Sequence, residues 1–257
     1  APVVAFVLVV LLSGCSRLSP SDGGAQTSFK GERVVRAADV ALPAGYRIDA
    51  VAKGLTFPSA VAVDDAGVPH LVEAGYSYGE VWTVPRLLRV EANGAVAEVA
   101  RGQKNGPWTG VAFAGGSFYV AEGGQLEGGK ILKIGRDGQT DVLVSGLPSH
   151  GDHHTNGPAV GPDGAIYFAQ GTATNSGVVG EDNATFGWLK RFPDFHDIPC
   201  RDVTLTGLNF ESGHPFEAGS AEVLTGAFLP FGTPSKPGQT IAGRVPCNGA
   251  IMRIAPS

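Results

Sequence analysis

Charge is scarce in this chain, and its positive residues form no cluster. Only 17% of the 257 residues are charged, and 19 Lys and Arg against 24 Asp and Glu leave a formal net charge of -5. A nucleic-acid binder needs a basic stripe to neutralise phosphates, so that class of function is disfavoured. Long amphipathic helical patterns are missing as well, which argues against a helical fold. No apolar run reaches the roughly 18 to 20 residues of a membrane-spanning helix. Cysteine is limited to 3 residues, and the chain opens on neither Met nor a positively charged stretch. What it has instead is 38 Gly, 18 Pro and a hydrophobic fraction of 43%. That is ample material for a core, interrupted by turns, as in an all-β protein.

Ala1 to Leu12 is uncharged and almost wholly apolar, and Leu12-Ser13-Gly14-Cys15 follows it. The run has the length of an export-signal core, and the tetrapeptide resembles a bacterial lipobox, cleaved before a Cys that carries diacylglycerol. Residues 1–15 are therefore expected to be part of a lipoprotein-type signal, with Cys15 as the lipidation site. The destination is the bacterial periplasm or outer cell surface, with the membrane reached through the lipid anchor only. The competing reading is a buried strand with a chance cysteine. Residues 16–40, rich in Ser and Gly at first, read as a flexible tether. Cys200 and Cys247 remain, either as a disulfide closing the segment between them or as a pair of free thiols.

An internal repeat carries the architecture. Ala60-Val61-Ala62-Val63-Asp64-Asp65-Ala66-Gly67-Val68-Pro69-His70-Leu71-Val72-Glu73 is strand, acidic-Gly turn, strand; the pattern returns at Gly110 to Glu122 and at Pro158 to Ala169. The turn glycines Gly67, Gly116 and Gly164 are 49 and 48 residues apart. A second hairpin interleaves with the first: Leu87 to Val90 before Asn93-Gly94, and Ile131 to Ile134 before Asp137-Gly138. Asn-Gly and Asp-Gly between apolar runs specify tight hairpins. Two hairpins per period of roughly 45 to 50 residues make a four-stranded blade of a β-propeller. Residues 41–257 are thus expected to hold about three to four blades of a six-bladed propeller. A long insertion at about 171–247 interrupts them. Phe186, Trp188, Phe192 and Phe195 predict that it is packed, and loops of such length commonly cover a site. The pattern resumes at Gly249 to Ile254, which matches Gly129 to Ile134 and reads as the beginning of a further blade.

Chemistry is proposed at one place, Asp152-His153-His154. It lies on a loop joining one blade's outer strand to the next blade's inner strand. A carboxylate beside an imidazole can orient it and stabilise its cation, which suits a general base. On spacing alone, such a triplet is more often a hydrogen-bonded turn.

Asp152-His153, then Gly161-Pro162-Asp163-Gly164 and Ile166-Tyr167, resembles the signature of the glucose/sorbosone dehydrogenases, which are soluble quinoprotein sugar and aldose dehydrogenases. Leu42-Pro43-Ala44-Gly45-Tyr46, Gly54-Leu55-Thr56-Phe57-Pro58 and Gly146-Leu147-Pro148 extend the resemblance. It implies a six-bladed propeller holding pyrroloquinoline quinone (PQQ) and calcium, a sugar substrate and an external electron acceptor. It also implies that His153 takes the substrate hydroxyl proton and that Asp152 supports it, both beside the cofactor. The chain departs from the pattern at Gln170-Gly171-Thr172, where the family places an acidic residue, and at Ser176-Gly177, near which it places a Gln. The Arg-Asn-Pro motif and the remaining cofactor contacts are expected beyond Ser257, so this stretch alone is expected to be inactive.

Other readings are weighed beside this one. His150, His153, His154 and Asp152 could gather round a transition metal. Glu73 and Glu122 end equivalent strands and could face the axis as ligands, as a metal-dependent lactonase-like propeller would need, or be repeat-encoded strand ends. A non-catalytic propeller binding carbohydrate or protein is the third possibility. Trp108 reads as packing between blades, and His196 and His214 as ordinary packing or surface residues.

Overall fold

The computed structural model describes residues 34, 36–75, 83–185, 187–217, 219 and 221–256. The signal segment with Cys15, most of the 16–40 tether and Phe186 lie outside the described residues. Among the described residues no helix is long and apolar enough to cross a membrane.

Apart from a 3-10 turn at Ala37–Asp39, the first elements among the described residues are strands. β1 (Pro58–Val63), β2 (Pro69–Glu73), β3 (Arg86–Val90) and β4 (Val96–Arg101) form one antiparallel sheet in sequence order. β5 (Trp108–Ala114), β6 (Ser117–Glu122), β7 (Gly129–Gly135) and β8 (Thr140–Leu147) form a second in the same order. Four of the turns between strands use one device. Asp64, Asn93, Asp137 and Asp163 each accept, through Oδ1, the backbone N–H two residues on. A glycine at positive φ completes each turn: Gly67, Gly94, Gly138 and Gly164. These are the Asp-Gly and Asn-Gly signals of the sequence, working as turn chemistry.

β9 (Thr155–Val160) and β10 (Ile166–Gln170) open a third sheet, and β15 (Ala250–Ile254) pairs with β10. Gly249 to Ile254 therefore supplies the third strand of this sheet and does not begin another blade. Its match to Gly129 to Ile134 is one of position as well as of residues, since β7 is also a third strand. Between β10 and β15 the insertion folds into two short helices, α1 (Glu181–Thr185) and α2 (Trp188–Arg191), and two small sheets. These pair β11 (Val203–Thr204) with β14 (Thr240–Ile241) and β12 (Asn209–Ser212) with β13 (Val223–Gly226).

The first strands of successive sheets lie against one another, β1 on β5 and β5 on β9. This is the radial stacking of propeller blades, with two four-stranded blades and a three-stranded third among the described residues. A bulge recurs near the start of each first strand, where the register shifts between Pro58 and Ala60 and between Trp108 and Gly110. A bulge re-aims the residue it contains. Here it turns the Ser59 hydroxyl to the Trp108 carbonyl (2.7 Å) and the Thr109 hydroxyl to the Thr155 carbonyl (2.7 Å), one blade on. The first strands come close at Gly110, where an added Cβ would stand 2.6 Å from Gly157 Cα.

Side chains fill the spaces between blades. Val72, Leu87, Trp108, Phe118, Val120 and Ile134 belong to the cluster centred on the first two, and Ala121, Ile131, Leu147, Ile166 and Phe168 to the next. Trp108 is fully buried, packed between blades as its position in the repeat predicts. Fully burying each large apolar side chain contributes about 1.5–3 kcal/mol. The insertion has its own cluster, Ala173, Val179, Trp188, Leu189 and Phe195. A disulfide joins Cys200 to Cys247 across a sequence separation of 47 residues.

Two outcomes are expected. Thr109→Val removes an inter-blade hydrogen bond and leaves the Thr155 carbonyl short of a donor, costing about 1–2 kcal/mol; urea unfolding should show a lower midpoint at unchanged slope. Replacing Cys200 and Cys247 by Ser frees the loop they close and should cost roughly 2–4 kcal/mol, read as a lower Tm than the native protein under non-reducing conditions.

Candidate functional site

The ends of β2, β6 and β10 share one edge of the assembly with the loops that lead into β1, β5 and β9. At that edge the repeat places Glu73, Glu122 and Gln170, all buried, opposite Pro58, Trp108 and Thr155. Each ties down the segment leading into its own blade. Glu73 accepts the Thr56 N–H (2.7 Å) and pairs with Arg86 (2.5 Å). Glu122 accepts the Asn105 amide (2.7 Å) and the Trp108 indole N–H (3.0 Å), with Lys130 at 3.4 Å. Gln170 accepts the Thr155 hydroxyl (2.8 Å) and donates to the Pro148 carbonyl (2.8 Å). The two glutamates are occupied as structural ties, which is the strand-end reading of the sequence.

Loop 148–154 joins β8 to β9 and carries the Asp-His-His triplet. It runs beside 171–173 as an extension of the β9–β10 ladder. The Asp152 N–H donates to the Ala173 carbonyl (3.0 Å), that of His153 to Thr172 (3.1 Å), and that of Gly171 to His154 (3.1 Å). Gly171 stands where the family resemblance calls for an acid nearby, and an added Cβ there would lie 2.6 Å from the His153 carbonyl carbon. Glycine is required by that approach.

His153 is exposed, and Asp152 and Asn175 lie beside it in one short chain of contacts. Asn175 touches both side chains: its Nδ2 donates to Asp152 Oδ2 (3.1 Å), and its Oδ1 lies 2.8 Å from His153 Nε2. Because the amide nitrogen faces the carboxylate, the amide oxygen faces the ring. It accepts from Nε2–H, so Nδ1 is left as the basic nitrogen. Buried Asn183 donates to the same Asp152 oxygen (3.2 Å). Burial pushes the Asp152 carboxyl above the ordinary carboxylate range and the nearby Asp182 charge adds to this, while His153 and the Asn183 amide oppose it.

The neighbouring histidines play other parts. His154 is buried, its Nδ1 lies 3.3 Å from the Ser149 carbonyl, and burial lowers its pKa to about 4. His150 stacks on Phe192 at 3.8 Å, and burial, reinforced by Arg191, lowers its pKa as well. Among the described residues no group of three or more His, Cys, Asp or Glu is placed to hold a metal ion, so the His150-His153-His154-Asp152 cluster does not form a transition-metal site. His196 Nδ1 lies 2.7 Å from the Asp194 carbonyl, and His214 packs edge-on against Phe216 and Phe231.

Two cavities lie near these residues. One of about 260 Å³ shares Asn175 and is lined also by Thr172, Thr174, Ser176, Asp197 and Asn248. A larger one, about 800 Å³, lies between the insertion and the second blade, with Leu147, His150, Phe192, Ile198 and Arg244 in its walls. Asn248 separates them and lines both; its Nδ2 donates to the Pro148 and Gly171 carbonyls (both 2.8 Å) and its Oδ1 accepts the Ile198 N–H (2.9 Å). Asn175, Asp197 and Asn248 were not singled out by sequence reasoning. The only cue available was the polar Thr172-Ala173-Thr174-Asn175-Ser176 run directly after a buried strand.

No family model matches the chain, and no curated protein matches it. Among solved structures it is similar to an oxidoreductase described as a glucose dehydrogenase from Thermus thermophilus, with 20% identity, 51% of this chain and 42% of that one covered, and a TM-score of 0.40. It is similar to an aldose sugar dehydrogenase from Streptomyces coelicolor in its PQQ-bound form, at 19% identity, the same coverages of 51% and 42%, and a TM-score of 0.40. A protein described as a gluconolactonase follows at 18% identity, 45% and 42% coverage and a TM-score of 0.33. The match spans 42% of the length of each of these structures.

His154 yields a pH-dependent outcome. Its folded-state pKa of about 4 lies below the ordinary value of 6.5, so the unfolded chain takes up the proton first. Stability is intact above pH 6.5 and falls by up to about 3 kcal/mol as the pH drops towards 4. Asp152, pushed the other way, has the opposite sign. Chemical denaturation of native protein and His154→Gln from pH 7 to 4 separates the two, and the variant should lose less stability across that window.

Proposed function

We propose that this chain is the His-bearing part of an exported quinoprotein-type oxidoreductase that oxidises a sugar or aldose at a CH–OH group. The observation that carries the reading is the Asp152–Asn175–His153 chain of contacts on the loop between the second and third blades. It combines an exposed imidazole, a defined tautomer and a half-buried carboxylate, which is what a proton acceptor for an alcohol requires. The residue resemblance around Asp152-His153 and Gly161 to Gly164 supplies the reaction class.

In this reading the substrate hydroxyl proton passes to His153 Nδ1. The Nε2–H bond to Asn175 keeps the ring oriented throughout. The imidazolium that forms is balanced by Asp152, whose charge is relayed by the Asn175 amide dipole. Hydroxyl and amide groups of Thr172, Thr174, Asn175 and Ser176 beside the smaller cavity suit a polyhydroxylated substrate. PQQ, when bound, supplies the acceptor for the hydride; His153 and Asp152 are the residues that the resemblance places against it. Imidazole, amide and carboxylate fit the proton-handling side of such a group. The described residues bring no cluster that fits calcium, and no step is assigned to that ion. Export, lipid attachment at Cys15 and an external electron acceptor belong to the same proposal, supported by the apolar run and lipobox-like tetrapeptide.

The lactonase-like alternative has no support from Glu73 and Glu122, whose carboxylates are engaged within their own blades. The binding-module alternative is decided by experiment. The full-length protein, titrated with PQQ and calcium and assayed by dye-linked oxidation of a sugar panel, is expected to develop activity. His153→Ala should lower kcat by about 10² to 10⁴ with cofactor absorbance retained. No PQQ binding, or full activity in His153→Ala, would refute the proposal.

A further inference from the structure

Asp197 is buried at 3% exposure and lies in the insertion between α2 and Cys200. A polar group so far from solvent needs hydrogen-bond partners, and it has three. Its Oδ1 accepts the Ala173 N–H (2.7 Å), and its Oδ2 accepts the Thr174 N–H (3.1 Å) and the Thr174 hydroxyl (2.6 Å). The Thr174 hydroxyl in turn accepts the Gly177 N–H (2.7 Å), closing the turn that contains Asn175. On its other side the same segment is laddered to Asp152 and His153 through the Ala173 and Thr172 carbonyls. Residues 172–174 are thus held from both directions, and the next residue is the amide that spans Asp152 and His153.

We infer that Asp197 is a positioning residue for His153: through Ala173 and Thr174 it sets the place of the Asn175 amide, and through that amide the tautomer and orientation of the ring. This rests on the proposed role of His153 as proton acceptor. It also gives the insertion a task in the chemistry. The stretch from 187 to 199 brings a carboxylate back to the end of β10, and the Cys200–Cys247 disulfide and Asn248 fix where that stretch ends. The short contact path matters because Asn175 is exposed, and an exposed amide with a free backbone would sample many rotamers.

The test uses full-length protein labelled with 15N-histidine, in which ring-nitrogen shifts report the His153 tautomer without turnover. The native protein is expected in the Nε2–H form. Asp197→Asn turns one acceptor into a donor facing Thr174; it is expected to give a mixed tautomer and about ten- to hundredfold lower kcat with KM within about twofold. In an Asn175→Ala background the same substitution should change neither reading further, since its effect runs through that amide. An unchanged tautomer in Asp197→Asn, or an undiminished kcat loss in the Asn175→Ala background, overturns the assignment. Thr174→Val removes one of the three bonds and gives the tautomer reading if Asp197→Asn fails to fold: a shift supports the assignment and none overturns it. Should His153→Ala remain active while the tautomer still responds to Asp197→Asn, the proposed reaction falls and the positioning role stands.

Discussion

The close approach of the blades' first strands is the constraint on which the rest of the structure depends. Gly110 against Gly157 lets two backbones come within side-chain contact, and the bulges at Ser59 and Thr109 convert that proximity into hydrogen bonds. With the strands held there, loops 102–107 and 148–154 must arrive at the same edge of the assembly. The exposed histidine owes its place first to this stacking, and then to the ladder its loop makes with 171–173.

The edge that results is polar and buried, and the repeat solves it three times with different chemistry. Two strands end in glutamate, each with a cation alongside, Arg86 or Lys130. The third ends in Gln170, which serves the same geometry with an uncharged amide. A buried carboxylate without its cation would be costly, so the pairing of acid with cation and amide with none is internally consistent.

Much of the fold was legible in the sequence because hairpins are local. Asp-Gly and Asn-Gly turns and two-residue alternation are set within a few residues, and the spacing of Gly67, Gly116 and Gly164 shows the unit recurring along the chain. The third sheet was harder, because its third strand returns only after the insertion, and a strand's partner is not written in the strand. Asp152 and His153 could be picked out from the residues themselves. What joins them could not: Asn175 is 22 residues from His153, and Asp197 a further stretch on, in a segment with no repeat to align. Side chains that act through a fold rather than through a motif leave no spacing to read.

The neutrality of Gln170 has a consequence for the loop that carries the histidine. Its amide secures Thr155 at one end of that loop and Pro148 at the other, and an amide neither gains nor loses a proton across the range in which enzymes work. The moorings in the first two blades are carboxylates held by a cation, Arg86 or Lys130. In the proposed reaction, the mooring beneath His153 is therefore indifferent to the proton that the ring would receive.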